Sequence, residues 1–175
     1  MVAALILIGA PGSGKSSVLD ALATCLEIDG VAHGALESEE LARGFPSLSG
    51  GSWTDQLAAV LSLQRDAGRR LFLIVATTEN DEELRAVVSA AAAEKTLTVC
   101  LEAPADVLAE RLQLREPDRW PGKPGLIAHA RELAPSVPLL AGIDRVIDTS
   151  GSEAEEIALE IYAQMRLIGL CGVTR

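Results

Sequence analysis

The stretch GAPGSGKS, running from Gly9 to Ser16, constrains this chain more tightly than any other feature. It satisfies the pattern GxxxxGK[ST], and its flanks are the ones that pattern requires: the apolar run AALILI (3–8) before it and an amphipathic helical stretch after it. Gly9, Gly12 and Gly14 permit backbone turns that a Cβ would block, so successive N–H groups point inward at phosphate oxygens. Ala10, Pro11 and Ser13 complete the loop, and Ser17 follows it, which makes residues 9–17 the expected phosphate-binding set. A helix opening near Lys15 adds the positive end of its dipole. The Lys15 ammonium brings a full charge to the terminal phosphates, and the Ser16 hydroxyl is placed to ligate Mg2+.

A loop of this kind joins a strand to a helix, and the remaining chain repeats that alternation. Apolar runs at 31–36 (VAHGAL), 71–76 (LFLIVA), 96–101 (TLTVCL) and 145–149 (RVIDT) join the one at 3–8. Near-continuous Leu, Ile and Val in three of them is the mark of parallel strands covered on both faces. Helical stripes lie between: Val18, Leu22, Cys25 and Leu26; then Leu84, Val87, Val88 and Ala91; then Ile157, Ile161, Met165 and Ile168. Asn80 with Glu83, and Ser152 with Glu155, have the spacing of a helix cap and its reciprocal acid. Pro104 suits the first turn of a helix over 104–115. Strand alternating with helix specifies a parallel α/β sheet with right-handed crossovers. Two Gly/Pro/Ser-rich stretches, 43–53 and 115–125, interrupt the rhythm, and loops of that size carry function more often than connection.

Composition narrows the partners. The 175 residues suffice for one domain with a full core, filled by aliphatic side chains because aromatics are only 3%. A net charge of −10 argues against a broad nucleic-acid or anionic-membrane surface, while still allowing a small anion held by a few local cations. Cys25, Cys100 and Cys171 show no CxxC spacing and imply neither metal nor redox chemistry. The opening MVAALILIGA lacks a basic leader and runs straight into the glycine loop, so it is read as a buried strand. No run is long enough to cross a membrane. The expectation is a cytoplasmic protein, monomeric by default.

On the phosphate loop and this order of elements, the chain resembles the P-loop small-molecule kinases. The similar branch holds shikimate kinase, gluconate kinase and chloramphenicol phosphotransferase, relatives of the nucleoside monophosphate kinases. The resemblance implies a three-layer α/β/α P-loop NTPase fold with a five-stranded parallel sheet and a small lid at about 115–125, all within a single domain over 1–175. It implies an ATP-dependent phosphotransferase using Mg2+ and moving the γ-phosphoryl group to a hydroxyl of a small-molecule acceptor. In such kinases an acidic residue after the second strand accepts the acceptor's proton; Glu37 occupies the matching place and Glu39 is the next candidate. A carboxylate in reach meets a chemical need, because a hydroxyl is a poor nucleophile. The plainer reading of ESEE (37–40) is the charged first turn of a helix capped by Ser38.

The resemblance also places lid arginines in AERLQLREPDRWPGK (109–123). Arg115 is the first candidate and Arg119 the second, with Arg111 at the helix base. A guanidinium fork clamps two phosphate oxygens at once and neutralises charge on the transferred group. A solvated face paired with Glu110 and Glu116 is the alternative. Trp120 is read either as stacking on substrate or as a lid anchor, and Lys123 as a surface charge. Thr149, Ser150 and Gly151, after the last strand, are weaker candidates for the adenine side. His33 and His129 have no partners at ligand spacing and are read as structural. Trp53 either shapes acceptor selectivity or anchors the next helix.

One departure from the family pattern stands out. The third strand ends in Thr77, Thr78 and Glu79, with no Asp to partner the magnesium. That leaves a nucleotide-binding module with weak or no transferase activity, an ATPase or switch, as the alternative function. A GTPase is disfavoured, since no N/T-K-x-D string occurs. Arg43 is the only basic residue in 37–55, which points away from a nucleoside monophosphate and toward a neutral hydroxylated acceptor.

Overall fold

Strand β1 (Ala3–Ile8) is buried along its whole length, and it forms the centre of the sheet. The computed structural model describes residues 1–41, 43–44 and 52–172; most of the glycine-rich stretch expected at 43–53 lies outside them. Strands β2 (Gly34–Glu37), β3 (Leu71–Val75), β4 (Lys95–Glu102) and β5 (Arg145–Asp148) complete a five-stranded sheet in the order β2-β3-β1-β4-β5. Every pairing is parallel, from Ala3 opposite Leu71 and Lys95 outward to Glu102 opposite Asp148. Side chains alternate across a strand, so β1 feeds two cores. Leu5 and Leu7 pack with Val18, Leu22 and Leu26 of α1 (Lys15–Ile28) and with Ile157, Ile161 and Met165 of α7 (Ala154–Leu167). Ala4, Ile6 and Ile8 face α3 (Ser52–Asp66), α4 (Asp81–Ala91), α5 (Ala105–Arg115) and α6 (Lys123–Leu133) through Leu57, Leu84, Leu108 and Ala130. Burial on both faces explains the unbroken aliphatic runs. The result is the expected three-layer α/β/α P-loop fold.

Local signals behave as their hydrogen bonds dictate. Asn80 Oδ1 accepts from Glu83 N at 3.0 Å, and the Glu83 carboxylate returns to Asn80 Nδ2 and Glu79 N. Pro104 stands at the cap of α5, one residue ahead of the helix. Two expectations need correction. The cap of α7 is Glu153 reciprocated by Glu156, not Ser152 with Glu155; the acid spacing occurs in both registers, and the structure takes the later one. Strand β2 begins at Gly34 rather than 31, because Val31 N caps α1 through Leu26 O and the Val31 carbonyl is held by His33 Nδ1. A four-residue helix α2 (Ser38–Leu41) follows β2 directly. Among the described residues, no helix is long and apolar enough to cross a membrane.

Candidate active site

The loop from Gly9 to Gly14 leaves the carboxyl end of β1, and Gly14 at φ +92° turns it into α1 without a side-chain cap. A left-handed residue is needed there, and glycine alone adopts it without strain. At Gly9 the constraint is space as well: a Cβ would overlap the Leu101 carbonyl oxygen and meet Ser13 Oγ at 2.5 Å. The uncapped amides at the start of α1 therefore face the loop's hollow. Lys15 is buried, and its ammonium donates to Gly9 O at 2.8 Å and Ala10 O at 3.2 Å. Burial lowers its pKa; the charges of Glu39 and Glu37 oppose that shift, and Arg115 adds to it. Among the described residues Lys15 makes no ion pair. A desolvated ammonium without a counter-charge, beside open backbone donors, fits a polyphosphate.

This loop forms one side of a cleft of about 820 Å3. Glu37, the last residue of β2, accepts from Ser16 Oγ at 3.1 Å, so the expected base and the expected metal ligand are in contact. Glu39, in the first turn of α2, accepts from the Thr77 hydroxyl at the end of β3. Arg115 reaches the cleft from the end of α5 and pairs with Glu116 at 2.6 Å. The fold thus gathers Lys15, Ser16, Glu37, Glu39 and Arg115 into one volume. The Ser16 and Glu37 oxygens beside the loop match what Mg2+ takes, which is one or two protein oxygens together with substrate phosphates.

A residue left as structural by sequence also lines this cleft. His129 of α6 lies against Glu79, which follows β3, with Nε2 and Oε1 2.9 Å apart. The two are 50 positions apart, and no motif announces the pair. Trp120 lines the cleft as well, at 43% exposure, with its indole over Gly122 where a Cβ would meet Cζ2 at 2.5 Å.

A smaller cleft of about 250 Å3 opens on the other side of the loop, between Gly12, Ser13, Ser17, Thr149 and Ser152. Arg111 and Arg115 reach it from α5. Arg111 donates to Thr149 Oγ1 at 2.9 Å, Thr149 O at 2.6 Å and Gly12 O at 3.3 Å, tying the exit of β5 to the phosphate loop. Of the three adenine-side candidates, Thr149 lines this cleft; Ser150 and Gly151 do not, and Ser150 N is held by Asp148 Oδ1. Arg119 lines neither cleft and lies along a separate groove with Gln113, Asp118 and Lys123. The segment expected to form a lid, about 115–125, takes in the end of α5, the connection 116–122 and the start of α6. Lys123, expected at the surface, is buried instead: its ammonium donates to Gln113 O, Glu116 O and Asp118 Oδ1. Trp53, in the first turn of α3, is half-buried against the core. Cys100 is a core thiol whose pKa burial pushes up to about 12.

Comparison with known proteins agrees with the fold. The AAA domain family matches residues 5–130. A sugar kinase from a Janibacter species shares the fold at a TM-score of 0.68 and 17% identity, covering 98% of this chain and 99% of its own. A gluconokinase from Sinorhizobium meliloti does so at 0.65 and 21%, over 95% and 93%. The Deinococcus radiodurans tunicamycin resistance protein follows at 0.64 and 21%, over 94% and 96%. No curated protein matches the sequence.

Proposed function

The chain belongs to the AAA domain family, and on that premise we propose that it is an ATP-dependent phosphotransferase, a single P-loop kinase-like domain that moves the γ-phosphoryl group to a hydroxyl of a small acceptor. The observation that carries this reading is the shared cleft. A phosphate-holding loop, a buried ammonium, four carboxylates and two arginines surround one volume large enough for a phosphate chain and an acceptor. Likeness in fold to a sugar kinase and a gluconokinase supports it.

In this reading the loop amides and Lys15 hold the β- and γ-phosphates, which draw the ammonium off the Gly9 and Ala10 carbonyls. Ser16, with Glu37 beside it, would hold Mg2+, which would supply positive charge to the phosphate oxygens. The acceptor oxygen attacks the γ-phosphorus, its proton passes to Glu37, and the bond to the bridging oxygen breaks to leave ADP. Arg115 stabilises charge on the transferred group. Arg119 would have to cross from its own groove to take part, so Arg115 carries the lid's role. The smaller cleft beyond Gly12 and Thr149 takes the base of the nucleotide. We place the reaction in the cytoplasm, on a small molecule rather than nucleic acid or membrane, with the monomer as the working unit.

The Ser16–Glu37 contact favours a second assignment within the same reaction, in which Glu37 orients the magnesium site and Glu39 takes the proton. Glu37→Gln and Glu39→Gln separate the two. The true base loses about 100-fold or more in kcat with ATP binding retained. Purified protein with Mg-ATP releases ADP faster when the right acceptor is added. ATP binding with no acceptor-dependent release would instead identify a module that only binds or slowly hydrolyses nucleotide.

A further inference from the structure

The large cleft has lining residues beyond the phosphate loop that the proposed reaction leaves without a role or only partly uses. Glu39, Thr77, Glu79 and His129 supply the polar groups of this wall, and Trp120 and Leu126 its apolar ones. Glu79 is fixed from both directions. Its N–H is held by Glu83 Oε2 at 2.8 Å within the α4 cap, and its carboxylate accepts from His129 Nε2 at 2.9 Å. A carboxylate only accepts, so the proton of this bond sits on Nε2. That leaves Nδ1 and the second Glu79 oxygen without a partner among the described residues. Thr77 donates to Glu39, which keeps the threonine's lone pairs available. Glu39, Thr77 and Glu79 thus offer hydrogen-bond acceptor oxygens, suited to a ligand rich in O–H or N–H donors.

Charge sharpens the inference. The wall carries two carboxylates, and the cations of the cleft are taken up elsewhere: Lys15 and Arg115 by the phosphates of ATP in the proposed reaction, and Arg43 by Glu40 at 3.0 Å. Residues 42 and 45–51, Ala and FPSLSGG, hold no ionisable side chain that would alter this balance. A carboxylate or phosphate on the acceptor would meet like charge with no counter-ion, a juxtaposition strongly selected against. Trp120 offers a half-exposed indole, the kind of surface that takes the C–H face of a sugar-like ring.

Building on the phosphotransferase reading above, we propose that the acceptor is a hydroxylated ring compound, uncharged or bearing an amine, and that the Glu79–His129 pair reads its donor groups. It is not an acid or a phosphate ester.

The test uses the full chain with Mg-ATP and follows ADP release with three sets of probes. The neutral set holds D-glucose, D-ribose, myo-inositol and adenosine; the amine set holds D-glucosamine and 2-deoxystreptamine; the acid set holds D-gluconate, D-glucuronate and D-glucose 6-phosphate. The best neutral or amine probe is expected to exceed every acid in kcat/KM by about 100-fold. Glu79→Gln should raise the acceptor KM about 10-fold, change kcat less, leave the KM for ATP in place, and narrow the margin against the acids. His129→Asn should raise the same acceptor KM, which guards against a misfolded Glu79 variant. An acid that matches or beats its neutral counterpart overturns the proposal, as does an acceptor KM unmoved in both variants. If ATP binds and no probe of any set accelerates ADP release, the phosphotransferase reading itself fails and the proposal falls with it.

Discussion

Lys123→Met tests how the connection between α5 and α6 is held. Lys123 is 5% exposed, and its ammonium donates to Gln113 O at 2.7 Å, Glu116 O at 2.8 Å and Asp118 Oδ1 at 2.8 Å. Helix α5 stops at Arg115, so carbonyls near its end lack intrahelical donors, and a cation there also meets the negative end of the dipole. Methionine keeps most of the side-chain volume and removes all three donors. A hydrogen bond to a charged group contributes about 1.5–3 kcal/mol, and two carbonyls lose one each. Relief of the buried ammonium's desolvation offsets part of this, leaving a net loss of about 2–3 kcal/mol. For a chain of this size that is roughly 4–10 °C in Tm. The Asp118 partner is fully exposed and is re-solvated when the ammonium leaves, so Asp118→Asn should shift the midpoint far less. Its hydrogen bond to Lys123 holds the Asp118 carboxyl below its ordinary value of 3.8. A lowered folded-state pKa means the pair's contribution is complete above 3.8 and fades as pH falls through the lowered value, so the Asn variant should differ from wild type at neutral pH and converge with it in strong acid. Thermal and urea unfolding of both variants, read by circular dichroism, gives the comparison. An unchanged midpoint for Lys123→Met refutes the reasoning. Equal damage from the two variants would assign the stability to the ion pair and not to the carbonyls.

Gly9→Ala places a Cβ on the Leu101 carbonyl oxygen at a backbone angle of φ +152°, so it should cost about 3 kcal/mol or more, seen as a lowered Tm. Arg111→Met frees Thr149 from the phosphate loop and should raise the KM for ATP about 10-fold with a smaller change in kcat, measured in steady-state assays. Lys15→Met should lower kcat by about 1000-fold while lowering Tm less than Lys123→Met does, although each removes two bonds to carbonyls. Burial lowers the Lys15 pKa, which means the folded state disfavours its charge, and removing that charge relieves the protein.

The sequence by itself determined the sheet, the phosphate loop and most helices. Each follows from neighbours in the chain: Leu5 and Leu7 alternate with Ile6 and Ile8 onto two cores, and Asn80 reaches the amide three residues ahead. Glu37 was legible for the same reason, since it ends the strand beside the loop and its place follows from element order. Tertiary structure decided the polar partners. Lys123 looks like a surface charge until α6 packs on α5 and carries its ammonium under the helix end. Arg111 meets Thr149, and His129 meets Glu79, only because successive crossovers return the chain to the same edge of the sheet. The choice of Glu153 over Ser152 as cap was equally invisible, because both carry an acid three residues on. Local periodicity encodes which face of an element is apolar, and that builds the frame. It carries no record of which distant polar groups the frame brings within 3 Å, and the large cleft is lined by such pairs.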